Sequence, residues 1–145
     1  MEDCNYYQSN IIGNHNRLKQ MLINLVKNAI EVMYNGGVIV IKLVSNDGGV
    51  EVSVIDEGNG LSDDEMNQLF TPFFTTKSTG TGLGLALVKK VVEEHKGTIN
   101  VESTIGFGTT FKISIPAYNN QFISREDEKL MEIWMGHQAL NRLPV

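Results

Sequence analysis

The sequence predicts an α+β fold, a two-layer α/β sandwich in which a mixed, mostly antiparallel sheet packs one face against about three helices. Three observations point there. Strand-like and helix-like segments alternate along the chain, which calls for a mixed architecture. Two pairs of strands are joined by short glycine-bearing turns, Asn46-Asp47-Gly48-Gly49 and the Gly106–Gly108 segment, which makes much of the sheet antiparallel. The long helices each carry a single apolar stripe, and one stripe needs one sheet face.

The elements follow in order. From Asn14 to Tyr34, apolar residues at Leu18, Met21, Leu22, Leu25, Val26, Ala29, Ile30 and Met33 alternate steps of three and one, the 3.6-residue period of a helix. Asn14 is placed to cap its start, and Asn35-Gly36-Gly37 to end it. Val38–Ser45 and Val50–Asp56 read as strands. In the second, Val50, Val52 and Val54 share a face, and period two puts Asp56 on that same core-directed face, a carboxylate where a valine is expected. Ser62-Asp63-Asp64-Glu65 is a capping box opening a short helix that ends near Phe70. Pro72–Thr81 has no apolar period and reads as a loop. A helix from about Gly82 to Lys96 follows, with Leu87, Val88, Val91, Val92 and His95 inward and Gly97 as its stop. Thr98–Ser103 and Thr109–Pro116 form the second hairpin. After Pro116 the composition shifts, so the chain divides into a remnant at 1–10, a folded domain at 11–118 and a tail at 119–145. In the tail, Ser124-Arg125-Glu126-Asp127 can cap an amphipathic helix bearing Leu130, Ile133 and Trp134.

At 145 residues, with 41% hydrophobic and 20% charged residues, the chain is one soluble domain long. A net charge of -5 and the lack of any Lys/Arg run argue against a nucleic-acid partner. A polyanionic ligand would have to be neutralised locally by metal and backbone amides. Cys4 is the only cysteine, which fits a reducing cytoplasm. No apolar stretch approaches a membrane span, so no membrane contact is expected of this segment, although a parent protein could be anchored elsewhere.

Four motifs carry chemistry. Asn24 and Asn28 lie one helical turn apart, and Gln20, Asn24, Asn28 and Glu31 form a strip beside the apolar stripe. Two amide carbonyls there can supply hard oxygen ligands to Mg²⁺, although two solvated asparagines would satisfy the same spacing. Asp56-Glu57-Gly58-Asn59-Gly60 ends a strand with an inward carboxylate, which is costly unless it accepts hydrogen bonds. The amino group of adenine is such a donor, and Gly58 and Gly60 let backbone approach a flat ring; a plain Asp-Gly turn is the alternative. Gly80-Thr81-Gly82-Leu83-Gly84-Leu85 runs from loop into helix, so backbone N–H groups and the helix N-terminus can face phosphate. It matches neither the dinucleotide fingerprint nor a P-loop. Finally, Phe70-Thr71-Pro72-Phe73-Phe74-Thr75-Thr76-Lys77 sets Lys77 where it can reach a terminal phosphate when the loop closes, with the phenylalanines anchoring the hinge or packing the core.

In their order, Asn…Asn-Ala, Asp-x-Gly-x-Gly, Phe-x-x-Phe-Phe and Gly-x-Gly-x-Gly, these motifs resemble the N, G1, F and G2 boxes of the histidine kinase catalytic domain. Arg17-Leu18-Lys19-Gln20 through Asn28-Ala29-Ile30-Glu31 and Gly106-Phe107-Gly108-Thr109-Thr110-Phe111 extend the resemblance across Ile11–Ala117, in a style closest to sporulation or nitrogen-regulatory kinases. The resemblance implies a Bergerat ATP-binding fold, shared with gyrase and MutL, that binds ATP and Mg²⁺. Asn24 and Asn28 would hold metal and phosphates, Asp56 would read adenine, and Gly58 and Gly60 would border it. Thr109 would support the base through water, residues 71–80 would form the lid, and Gly82 and Gly84 would meet the phosphates.

It also implies the partners: a histidine on a separate dimerisation domain as phosphoryl acceptor, and a response regulator reached only indirectly. Related ATPases place a general-base glutamate four residues before the metal-binding asparagine; here Asn24 fills that position, and an amide cannot take a proton from water. His15, His95 and His137 each lack the acidic residue that follows an acceptor histidine in the family. The chain is therefore expected to bind ATP without phosphorylating itself. A serine kinase of the anti-sigma-factor type, or a nucleotide-sensing module without catalysis, are the other readings of the same fold.

Overall fold

The computed structural model describes residues 10–75 and 81–118, together with Lys129 and Ile133. The long first helix, α1, runs His15–Val32. Asn14 caps it, its side-chain oxygen accepting the Arg17 N–H at 3.1 Å. Its apolar stripe puts Met21, Leu25 and Ala29 in the core. The helix stops two residues short of Tyr34, and Met33 closes the last turn by donating its N–H to the Ile30 carbonyl.

Strands β1 (Val40–Asn46) and β2 (Gly49–Asp56) pair antiparallel, from Val40 opposite Ile55 to Asn46 opposite Gly49. β1 starts two residues later than the apolar run at Val38 suggests. The Val38 N–H is instead directed to the Glu57 carboxylate at 3.3 Å, which removes it from the ladder. The turn closes as the Gly48 N–H donates to the Asn46 side chain at 2.8 Å. Ser62 and Glu65 complete their capping box in both directions, opening α2 (Asp63–Gln68). α3 spans Gly84–Glu94 rather than starting at Gly82, because Gly82 has φ +71°, outside the right-handed helical region. β3 (Thr98–Thr104) and β4 (Gly108–Pro116) form the second hairpin.

The sheet order is β1-β2-β4-β3, and every pairing among these described strands is antiparallel. α1 and α3 lie side by side on one face. Between the layers sits a core of Met21, Leu25, Ala29, Val54, Val88, Val91, Val92, Phe111, Ile113 and Ile115. This is the two-layer sandwich expected from the sequence. At the β1 edge the helical cover runs out: Ile41 and Leu43 share the helix-facing side with Val54 and Val52 by register, yet Leu43 is 70% exposed. Among the described residues no helix is long and apolar enough to cross a membrane.

The two helices are tied together at one end. Arg17 grips Glu94 through both carboxylate oxygens, at 2.7 and 2.9 Å, an exposed pair that contributes little by itself. Beneath it His95, buried after the last turn of α3, accepts the Asn14 N–H on Nε2 at 3.0 Å while Nδ1 meets the Val91 carbonyl at 2.6 Å. That geometry makes Nδ1 the protonated nitrogen. His95 is thus a bridge from the end of α3 to the start of α1, with both ring nitrogens used. His95→Phe keeps the volume but leaves the Asn14 N–H without its acceptor, at a cost of about 1–3 kcal/mol. Thermal unfolding should show a midpoint lowered by roughly 5–15 °C; an unchanged midpoint would mean the bridge carries no stability.

Candidate functional site

The open ends of these elements surround one cavity of about 610 Å³. α1 contributes Asn24, Lys27, Asn28 and Glu31; the end of β2 contributes Asp56; the following loop contributes Asn59, Gly60 and Leu61; β4 contributes Thr109 and Phe111. Phe74, Thr75, Thr81, Gly82, Gly84 and Leu85 close the remaining side.

Asp56 is the base of this arrangement. It is the last residue of β2, paired with Thr109 of β4, and only 3% exposed. A carboxylate at such depth needs donors. Its Oδ1 accepts the Gly58 N–H at 2.9 Å and the Thr109 N–H at 3.3 Å. Its Oδ2 accepts no hydrogen bond among the described residues, and no fully buried side-chain polar atom there lacks a partner. Oδ2 therefore meets the cavity as an open acceptor. Strand register delivers this: period two turned Asp56 inward, and the β2–β4 pairing put a backbone donor beside it.

Elsewhere in the lining, the polar strip of α1 reaches the start of α3. The Gln20 amide donates to the Asn24 Oδ1 at 3.2 Å, and Asn24 Nδ2 donates to the Gly84 carbonyl at 3.4 Å. Asn24, Asn28 and Glu31 line the cavity, whereas Gln20 stays behind them. The first turn of α3 lines it through Gly84 and Leu85. Its leading N–H groups have no acceptor within the helix, so this wall is rich in donors and in positive potential. Thr81 also lines the cavity, and its hydroxyl accepts the Leu83 N–H at 3.4 Å.

The glycines divide by role. Gly60 has φ +73°, and a Cβ there would stand 2.2 Å from the Thr104 carbonyl oxygen, so the loop lies flat on the β3–β4 hairpin. Gly82 has φ +71° and is pressed to the backbone of Phe73, whose N–H donates to the Gly82 carbonyl at 3.0 Å. Gly58 does not line the cavity; a Cβ on it would strike Val32 at 2.7 Å. Leu83 is exposed and also stands outside the lining. Lys77 and Gly80 lie outside the described residues, as does His137.

Of the sequence candidates, the cavity thus gathers Asn24, Asn28, Asp56, Gly60, Thr81, Gly82, Gly84, Leu85 and Thr109. It adds residues that sequence reasoning did not single out as ligands. Lys27 brings a cation to the rim, and Phe111 and Leu69 bring apolar walls. The signal for Lys27 was available, since it stands between the two asparagines on the same helix. Phe111 is visible only through the register that sets β4 against β2.

Residues 13–119 match the family model described as histidine kinase-, DNA gyrase B- and HSP90-like ATPase. The chain is 48% identical over 114 residues to sporulation kinase E of Bacillus subtilis (strain 168), a match that covers 78% of this chain and 15% of that protein. It thus spans a small part of the length of that curated relative. Among solved structures, the catalytic domain of histidine kinase ThkA superposes with a TM-score of 0.66 at 40% identity, covering 74% of this chain and 70% of that one. Full-length ShkA, solved in complex with AMPPNP, superposes with a TM-score of 0.63 at 29% identity, covering 77% of this chain and 24% of that one.

Proposed function

This chain belongs to the family of histidine kinase-, DNA gyrase B- and HSP90-like ATPases and is an ATP-binding catalytic domain of the sensor histidine kinase type, and from that premise we propose that it presents the γ-phosphoryl group of Mg·ATP to a histidine on a separate dimerisation domain. One observation supports the proposal: Asp56, with its open oxygen, lines the same cavity as Asn24 and Asn28. The open acceptor suits the amino edge of adenine. The α3 N-terminus, Lys27 and the amide strip suit a triphosphate.

Mg²⁺ fits this donor set as a partner of the nucleotide. Neutral amide oxygens one turn apart, with the Glu31 carboxylate close along the same strip, make a partial shell of hard oxygens. Among the described residues no group of three His, Cys, Asp or Glu is placed to hold a metal, so phosphate oxygens and water would complete the coordination. When bound, the ion neutralises charge developing on the phosphates. The chain's own part is then to hold the base at Asp56, support it from Thr109, and keep the triphosphate on the amide strip. Lys77 and the 71–80 segment are assigned to cover the terminal phosphate, with Gly82 and Gly84 at the phosphates.

Chemistry at this site favours transfer over hydrolysis. The position of a water-activating carboxylate, four residues before Asn28, is held by Asn24, whose amide is engaged with Gln20 and Gly84. A phosphoryl acceptor must therefore come from outside. His95 is committed on both nitrogens. We place the domain in the cytoplasm, and assign it a response regulator only by way of the phosphorylated histidine. The sensor-kinase relatives favour histidine over serine as acceptor.

The test is reconstitution. Mixed with the parent's histidine-bearing helical domain, Mg²⁺ and γ-labelled ATP, the chain should place acid-labile label on that domain and none on itself. Bound ATP with no transfer to the added domain would overturn the kinase reading.

A further inference from the structure

Ser103 stands on β3, separated from Asp56 by the intervening strand β4, and outside the cavity lining, yet it collects three polar contacts. Its Oγ accepts the Leu61 N–H at 2.8 Å, donates to the Gly108 carbonyl at 3.1 Å, and meets the Thr109 hydroxyl at 2.8 Å. Register explains the last contact, since Ser103 and Thr109 are directly paired across the hairpin. A serine hydroxyl has one hydrogen. A carbonyl can only accept, so the bond to Gly108 uses that hydrogen. The contact with Thr109 then runs the other way, Thr109 donating to Ser103.

This fixes more than a distance. With its hydrogen held by Ser103, Thr109 turns only lone pairs towards the cavity that it lines. Asp56 Oδ2 also presents only an acceptor there. Two acceptors side by side match an exocyclic amino group, which carries two hydrogens, or a water that serves it; a ring carbonyl at that place would meet lone pairs alone. The Leu61 N–H bond adds a second tie, holding the Gly60–Leu61 loop to the same hairpin.

We propose that Ser103 is a positioning residue for nucleobase selection, acting through Thr109 by fixing the direction of its hydroxyl. The inference rests on the assignment of the Asp56 end to the adenine amino group. Calorimetry with ATP and with purine riboside triphosphate, which lacks the 6-amino group, separates the two. Ser103→Ala should weaken ATP about tenfold, the loss expected of one misdirected hydrogen bond, and change the analogue by less than about twofold. Thr109→Val should do the same, and the double variant should lose nothing beyond either single change. Ser103→Thr, which restores a hydroxyl, should recover ATP binding. If Ser103→Ala unfolds too readily to titrate, Ser103→Cys keeps the shape with a weaker donor and is read in the same way.

Equal weakening of both ligands, or a further tenfold loss on adding Ser103→Ala to Thr109→Val, would show a structural role only and overturn the proposal. A wild-type chain that does not distinguish the two nucleotides would sink the adenine assignment and this inference together. Discrimination that survives Ser103→Ala intact would sink the inference alone.

Discussion

Asp56→Asn should lower ATP affinity about a hundredfold while leaving the domain folded, and should raise the affinity for inosine triphosphate relative to ATP. The reason lies in the division of labour between the two carboxylate oxygens. Both backbone donors, Gly58 and Thr109, are held by Oδ1. Asparagine retains that oxygen, so the strand end keeps its internal bonds. What changes is the atom that faces the cavity, from an acceptor to an NH₂ donor. Against the amino group of adenine this sets donor against donor, and a hydrogen bond to a charged group, worth about 1.5–3 kcal/mol, is lost as well. Against the carbonyl of hypoxanthine the new amide is matched. Asp56→Ala is the blunter variant. It removes Oδ1 too and leaves two N–H groups without acceptors, each costing about 1–3 kcal/mol when buried, so its lost binding is mixed with lost stability. Calorimetry on the asparagine variant, with thermal unfolding beside it, separates the two. Unchanged ATP affinity in a folded Asp56→Asn protein would remove adenine from this end of the cavity.

The aspartate was legible because a strand has a strict period of two. Once Val54 is assigned to the core, Asp56 has no choice of face. The caps at Asn14 and Ser62 were legible for a similar reason, since each motif satisfies its own backbone donors within three or four residues. Reading failed where a distant group intervened. Val38 has the apolar character of a strand residue, but Glu57, nineteen positions on, takes its N–H. Gly58 signals a close approach, and only the folded chain shows that Val32 and Asp56 crowd it. A glycine announces that something comes close without saying what. Ser103 gave no signal at all, because its importance exists only when β3 is laid against β4 and the 57–61 loop is folded over both. The cavity itself is assembled from segments far apart in the chain, and only their recurrence as ordered motifs made it readable in advance.

Replacing Asn28 by alanine should abolish the magnesium dependence of ATP binding and leave the magnesium-free affinity nearly untouched. Asn28 lines the same cavity as Asp56, one turn beyond Asn24, and under the proposed function Asn28 serves the phosphates and Asp56 the base. Its substitution therefore leaves the base contacts in place. Nor should the helix suffer, since alanine is the better helix former by up to about 0.7 kcal/mol. The loss is an amide oxygen from a shell that the protein fills only in part, so the cation is left to phosphates and water. Magnesium titrations of ATP binding should show Mg·ATP weakened by roughly tenfold to a hundredfold, the range seen when support for a bound metal is removed. Binding measured in EDTA should move by less than about twofold. Asn28→Asp discriminates a metal role from a packing role: the carboxylate restores an oxygen ligand, so magnesium should again strengthen binding, while in EDTA the added negative charge should repel the phosphates. An Asn28→Ala protein whose ATP affinity rises with magnesium as steeply as the wild type would place the cation elsewhere.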